Sequence, residues 1–268
     1  MPAEQHPEPS EAAPGDPFYE PLGEHTYRAT SRTQGPWNPA HQHGGPPAAL
    51  LAHALDRTAP RPGARIVRIA LDFLRPLPVG EVTVTTEVLR DGRNTQLLGA
   101  ELLAGGRPCL RATAWRLRTT RLPVASEAPC APPPIPVSGD GLAKADFGYA
   151  RALDFRFVEG DFFVPGPAVV WTRIDRPLVG SIPITPLERV LVAVDAASGV
   201  SAELAWEDYL FINVDLTVHL HRPPETPWVC MAARSHIDAA GVGLARTSLF
   251  DERGPVGAAA QALFVAPR

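Results

Sequence analysis

Hydrophobic and polar positions alternate along many ten-residue stretches of this chain, and the alternation comes in two matched blocks. Residues 69–78, "IALDFLRPLP", and 215–224, "DLTVHLHRPP", each alternate until an Arg-Pro pair interrupts them. Period-two alternation marks a half-buried strand, and proline stops it because it has no N–H for the ladder. Arg75-Pro76 and Arg222-Pro223 stand 147 positions apart. Read at that offset without gaps, Asp91 falls on Asp238, Leu97 on Leu244, Leu102 on Leu249, Pro108 on Pro255 and Ala112 on Ala259. The turn-forming stretches coincide too, "RDGRN" with "IDAAG" and "AGGRP" with "DERGP", each where a hairpin needs a turn.

Each block therefore predicts one helix followed by four strands. In the first, residues 46–57 ("PPAALLAHALDR") open on prolines and carry apolar residues at helical spacing, with strands near 65–75, 81–90, 95–104 and 107–118. In the second, one helix over 186–199 precedes strands near 210–221, 228–236, 243–251 and 255–265. Further extended segments lie upstream of each helix, near 18–30 and 150–174. Both helices are apolar on most of their circumference, so each must be covered nearly all round. The implied fold class is α+β, with a curved antiparallel sheet wrapped around a central helix, present twice.

Proline places the boundaries. Many of the 31 prolines fall in the amino-terminal stretch and in 121–141, "RLPVASEAPCAPPPIPVSGDG". The expected organisation is a disordered tail over 1–17, a first module over 18–120, a proline-rich linker over 121–145 and a second module over 146–268. A formal net charge of −4 offers no polycationic face for nucleic acid. Cys109, Cys130 and Cys230 are odd in number and widely spaced, which suits buried thiols in a reducing compartment. The first residues lack the apolar run of a signal peptide, and no stretch approaches the roughly 20 apolar residues that span a bilayer. The expectation is a cytoplasmic protein with no membrane partner.

"HGGPPAALLAHAL", "FLRPLPVGEVTVTTEVLRDGRN", "VDLTVHLHRPP" and "LFDERGPVGAAAQALFV" together resemble the double-hotdog acyl-CoA thioesterases of the bacterial thioesterase II group, over roughly residues 18–268. The resemblance implies two fused hotdog modules. It also implies a water held by a carboxylate on the second central helix, a hydroxyl or amide on the following strand and a glutamine on the last strand. Those positions fall on Asp195, Asn213 and Gln261. Asn213 stands where the family often has threonine, but it still donates and accepts hydrogen bonds. The implied partner is an acyl-CoA or acyl-carrier-protein substrate, and the implied assembly a homodimer or larger closed oligomer.

The same residues stand out physically. Asp195 is a carboxylate in an apolar helical run, and Gln261 an amide in a strand of small and apolar residues, so each needs a polar partner. The 147 offset maps Gln261 onto Ala114 and Asn213 onto Ile66, which predicts one working site per chain. A thioester carbonyl is reactive enough for water activated by a general base, with no metal or cofactor. Gly44 and Gly45, before the first helix, leave room for substrate, and the helix start offers N–H groups to an oxyanion; His43 joins them at the pocket rim.

Two other readings come from the same chain. "WNPAHQH", residues 37–43, is similar to the Asn-Pro and His of hotdog enoyl-CoA hydratases, whose chemistry needs an Asp and His pair, and no aspartate precedes it. A non-catalytic acyl-CoA-binding scaffold would keep the fold without turnover. His219 and His221 share a strand face as some zinc ligands do, but no third ligand is evident.

Overall fold

The computed structural model describes residues 15–123, 131–137, 142 and 145–268. Residues 1–14 of the expected tail, and Cys130 in the expected linker, lie outside them. The last tail residues are tied down: the Asp16 carbonyl accepts from the Arg176 guanidinium at 3.1 Å and the Pro17 carbonyl from the Thr30 hydroxyl at 2.8 Å. Residues 131–137 of the linker lie along the second module, where the Trp171 indole donates to the Pro133 carbonyl at 3.1 Å.

The first block begins with two short strands, β1 (Tyr19–Pro21) and β2 (Thr26–Ala29). The first central helix, α1 (Gly45–Arg57), comes next, then β3 (Ala64–Phe73), β4 (Glu81–Asp91), β5 (Thr95–Ala104) and β6 (Arg107–Arg118). The second block runs β7 (Asp154–Asp161), β8 (Val164–Arg173), α2 (Pro186–Val194), α3 (Ala197–Val200), β9 (Tyr209–Asn213), β10 (Asp215–Leu220), β11 (Trp228–Asp238), β12 (Val242–Asp251) and β13 (Gly254–Pro267). All thirteen strands join one sheet, in the order β1-β2-β4-β5-β6-β3-β10-β13-β12-β11-β8-β7, with β9 also pairing β13.

The seam between the halves is the antiparallel pair β3 and β10, in which Ala70 lies opposite Thr217. Those two residues are themselves 147 positions apart, so the approximate two-fold relating the halves passes through this pair. Arg75-Pro76 and Arg222-Pro223 close these two strands, which explains why the sequence repeats the dipeptide.

The sheet wraps two helices packed side by side. From Gly45 to His53 every residue of α1 is buried, as its all-round apolarity requires. The start of α1 meets the end of α2: a side chain on Gly45 would place its Cβ 2.3 Å from the Val192 carbonyl. The other ends meet through buried His53 and Glu188, whose Nδ1 and Oε1 lie 2.7 Å apart. The helices are therefore antiparallel. Glu188 also completes a capping box with Thr185 at the start of α2.

Two expected elements are broken. The single helix over 186–199 is two pieces, α2 and α3, interrupted at Asp195 and Ala196. No proline causes the break; a side chain does. The Gln261 amide donates to the Asp195 carbonyl at 3.2 Å, and its oxygen accepts from the Ser198 N–H at 3.2 Å. In a regular helix Ser198 would bond Val194, and the Asp195 carbonyl would accept from Gly199, so the glutamine stands in for two ladder bonds. The single strand over 210–221 likewise breaks at Val214, between β9 and β10.

Candidate active site

Both breaks face the same point. Asp195 follows the last residue of α2 and is 5% exposed. Asn213, the last residue of β9, donates from Nδ2 to Asp195 Oδ1 at 2.9 Å. On the other side, His43 Nδ1 lies 3.1 Å from Asp195 Oδ2. Antiparallel packing brings His43, just before α1, to the end of α2. Gly44 makes the fit possible: a Cβ there would lie 2.7 Å from Asp195 Oδ2 and 2.7 Å from the Phe73 ring. Gly44 has ordinary right-handed helical angles, so what matters is the space and not the backbone conformation.

The imidazole is held on several sides. It stacks on the Tyr149 ring with centroids 3.7 Å apart and planes 3° from parallel. The Tyr149 hydroxyl donates to the Val192 carbonyl in the last turn of α2 at 2.7 Å, and the backbone N–H of His43 donates to the Thr33 carbonyl at 2.7 Å. Burial lowers the His43 pKa from its ordinary 6.5, and the Asp195 charge only partly opposes this, so the ring is neutral at pH 7. Burial, with the Asp195 charge adding to it, raises the Tyr149 pKa well above 10.0 and keeps its hydroxyl a donor.

One ring nitrogen faces two neighbours. The Gly45 N–H points at His43 Nδ1 from 3.1 Å, the same atom that faces Asp195. Nδ1 can serve only one of them in a given tautomer. In the tautomer that carries the proton on Nδ1 and donates it to Oδ2, the ring's lone pair lies on Nε2.

The chain's sequence matches the model of the acyl-CoA thioesterase N-terminal domain over residues 33–117 and that of the acyl-CoA thioesterase C-terminal domain over residues 127–265. The chain belongs to the acyl-CoA thioesterase family.

Solved structures agree on the fold. A hot dog fold protein of unknown function from Alicyclobacillus acidocaldarius superposes with a TM-score of 0.71 at 19% identity, over 92% of this chain and 95% of that one. The acyl-CoA thioesterase II TesB2 of Mycobacterium marinum gives 0.65 at 19%, over 93% and 94%. The tesB protein of Mycobacterium avium subs. paratuberculosis gives 0.62 at 19%, over 93% and 96%. No curated protein matches the chain. Among the described residues, no helix is long and apolar enough to cross a membrane.

In this member of the acyl-CoA thioesterase family, a cavity of about 360 Å³ opens beside the aspartate and is lined by residues from both halves, including His43, Gly44, Asp195 and Asn213. Two of the sequence-predicted residues are elsewhere. Gln261 is 1% exposed and absent from the cavity wall; it meets the backbone of Asp195 and not the carboxylate. The polar partners of Gln261 are thus the backbone groups at the helix break. Gly45 is a point of contact between α1 and α2, its N–H points to His43, and of the two glycines expected to leave room for substrate only Gly44 lines the cavity. Sequence reasoning missed Tyr149, which follows the proline-rich stretch with no periodic signal. It also missed the His43 and Asp195 pair, because the aspartate sought near "WNPAHQH" comes from the other half.

The repeat also sets two equivalent arginines to different tasks. Arg222 is locked by bonds from its guanidinium to buried Asp251 and to the carbonyls of Pro255 and Gly254. At the 147 offset Asp251 corresponds to Ala104, and Arg75, the counterpart of Arg222, forms no ion pair with a carboxylate among the described residues. Arg75 is exposed and lines the cavity instead.

Among the described residues the first half holds no second copy of the site. Ile66 and Ala114 occupy the positions of Asn213 and Gln261. The end of α1 is closed by Arg116, 2% exposed, whose guanidinium donates to the carbonyls of Leu55, Asp56, Thr58 and Ala59 and to the Gln96 side chain.

Proposed function

We propose that the chain hydrolyses an acyl thioester, of CoA or of a carrier protein, with His43 and Asp195 acting together as the general base. The observation that carries this reading is the 3.1 Å approach of His43 Nδ1 to Asp195 Oδ2 on the wall of an apolar cavity. Asp195 orients the neutral imidazole, and Nε2 takes a proton from water as its oxygen attacks the thioester carbonyl carbon. The tetrahedral intermediate collapses with cleavage of the C–S bond, and the departing sulfur recovers the proton from Nε2. The products are a carboxylic acid and a thiol. This differs from direct proton abstraction by Asp195, because both carboxylate oxygens already face donors. Asn213 keeps the carboxylate in place, Gln261 keeps the helix break that presents it, and Arg75 offers a cation to the CoA phosphates at the mouth.

A thiol-release assay over acyl-CoA thioesters tests the reading. Turnover that disappears in Asp195→Asn and His43→Gln, with folding intact by circular dichroism, supports it; full activity in both variants overturns it. A second reading draws on the same pair: an Asp and His pair is what an enoyl-CoA hydratase needs, and here two halves of one chain supply it. Loss of enoyl absorbance without thiol release would favour hydration over hydrolysis.

A further inference from the structure

Beyond the polar cluster, the cavity has an unusual wall. Trp37 and Trp206 lie with ring centroids 4.6 Å apart and planes tilted by 30°. Phe211 meets Trp206 at 4.4 Å and Trp37 edge-on at 5.6 Å, while Phe162 stacks on Trp206 at 5.0 Å. All four rings line the cavity. They come from four places in the chain: the loop before α1, the turn between β7 and β8, the loop after α3, and β9.

The wall is anchored on the helix that follows the aspartate. A Cβ on Gly199 would lie 3.3 Å from Trp206, a tight contact, so the missing side chain eases the seating of that ring against α3, and Phe162 lies 3.7 Å from the same point. Ala196, Ser198 and Gly199 line the cavity between Asp195 and these rings. An acyl group attached to a carbonyl beside Asp195 therefore runs onto the aromatic wall. Size limits it further. At about 360 Å³ the cavity is near the lower end for small-molecule sites, and it must also hold the thioester and the end of the thiol carrier.

We propose that the acyl group this site selects is compact and ring-bearing, an arylacyl group, and that Trp206 and Trp37 determine that selection. The proposal rests on the hydrolase reading for its reacting carbonyl. Offset and edge-on ring contacts favour an aromatic guest beyond the area it buries, whereas a long unbranched chain gains nothing from ring geometry and exceeds the space. The four rings brace one another, so the wall does not fold aside for a longer guest.

The experiment is isothermal calorimetry with non-hydrolysable CoA thioethers, S-(2-phenylethyl)-, S-butyl- and S-hexadecyl-CoA, the last kept below its micelle concentration. The wild-type chain should bind the phenylethyl thioether about tenfold more tightly than the hexadecyl one. Trp206→Leu should cut that preference by roughly three- to tenfold while butyl binding changes by less than about twofold. Trp37→Leu, at a partly exposed position, makes the same test with less demand on folding. Hexadecyl binding as tight as phenylethyl binding, an unchanged ratio in both variants, or no binding of any thioether overturns the proposal.

Thiol release from the matching thioesters, measured in parallel, separates this proposal from the one beneath it. Aromatic preference in binding with no thiol release refutes hydrolysis and leaves the arylacyl pocket standing. Hydrolysis that is fastest on palmitoyl-CoA does the reverse.

Discussion

His43 and Asp195 belong to different halves of the chain, and their side chains meet at 3.1 Å because α1 and α2 run antiparallel. Neither half holds the pair alone. If the two act as one base, Asp195→Asn and His43→Gln should each lower kcat/KM by about 10²–10⁴-fold, and the double variant should lose little more than either. Steady-state thiol release from the three variants measures this; additive losses would mean that the residues act separately.

The acid limb of the pH–rate profile should identify the base. His43 must be neutral to accept a proton, and burial holds its pKa below 6.5. Activity should therefore persist below the pH at which a free imidazole is half protonated and fall only as pH drops through the lowered value. Tyr149→Ala admits water to the stacked face and should move the limb upward toward 6.5. An acid limb that Tyr149→Ala leaves unmoved would instead mean that His43 is not the group that takes the proton.

Gln261→Leu removes the partners of the Asp195 carbonyl and the Ser198 N–H. A buried polar group left unpaired costs about 1–3 kcal/mol, so the urea midpoint should fall accordingly. As the break that presents Asp195 relaxes, kcat should fall too, with the acid limb unmoved. An unchanged kcat in a folded Gln261→Leu chain would separate the clamp from catalysis.

Arg75 should act on carrier binding alone. Arg75→Gln is expected to raise KM for a CoA thioester several-fold with little change in kcat, and to leave a short pantetheine thioester unaffected because it lacks the nucleotide phosphates. Equal effects on both substrates would exclude a phosphate contact.

The two Arg-Pro pairs should differ sharply in stability. Asp251 is buried, and although burial raises its pKa, the Arg222 bond and the N–H groups of Glu225 and Arg253 more than offset this and lower it below 3.8. Removing one partner of such a pair costs about 3–5 kcal/mol, so Asp251→Ala should be strongly destabilising by urea titration, whereas Arg75→Ala should stay within about 0.5 kcal/mol. A depressed carboxylate pKa contributes fully above the unfolded value and is lost as pH falls through the folded one. This contribution should therefore persist at neutral pH and fade only in acid.

Much of the architecture could be read from the sequence, because alternation and helical spacing are local properties that neighbouring side chains impose on the backbone. The strands and the two apolar helices follow from residues a few positions apart; the resemblance to known thioesterases pointed to Asp195, Asn213 and Gln261, and the 147-residue offset showed that Asn213 and Gln261 have no polar counterparts in the first half. What those residues touch was not a local property. The helix break at Asp195 is made by Gln261, 66 positions later, and is invisible to any rule about prolines or caps. Only the packing of two antiparallel helices beneath one continuous sheet decided that His43 faces Asp195, that Gln261 grips backbone and not carboxylate, and that four distant rings close on one cavity. Such meetings depend on which surfaces fit together in space, and that is not encoded in the spacing of residues along the chain.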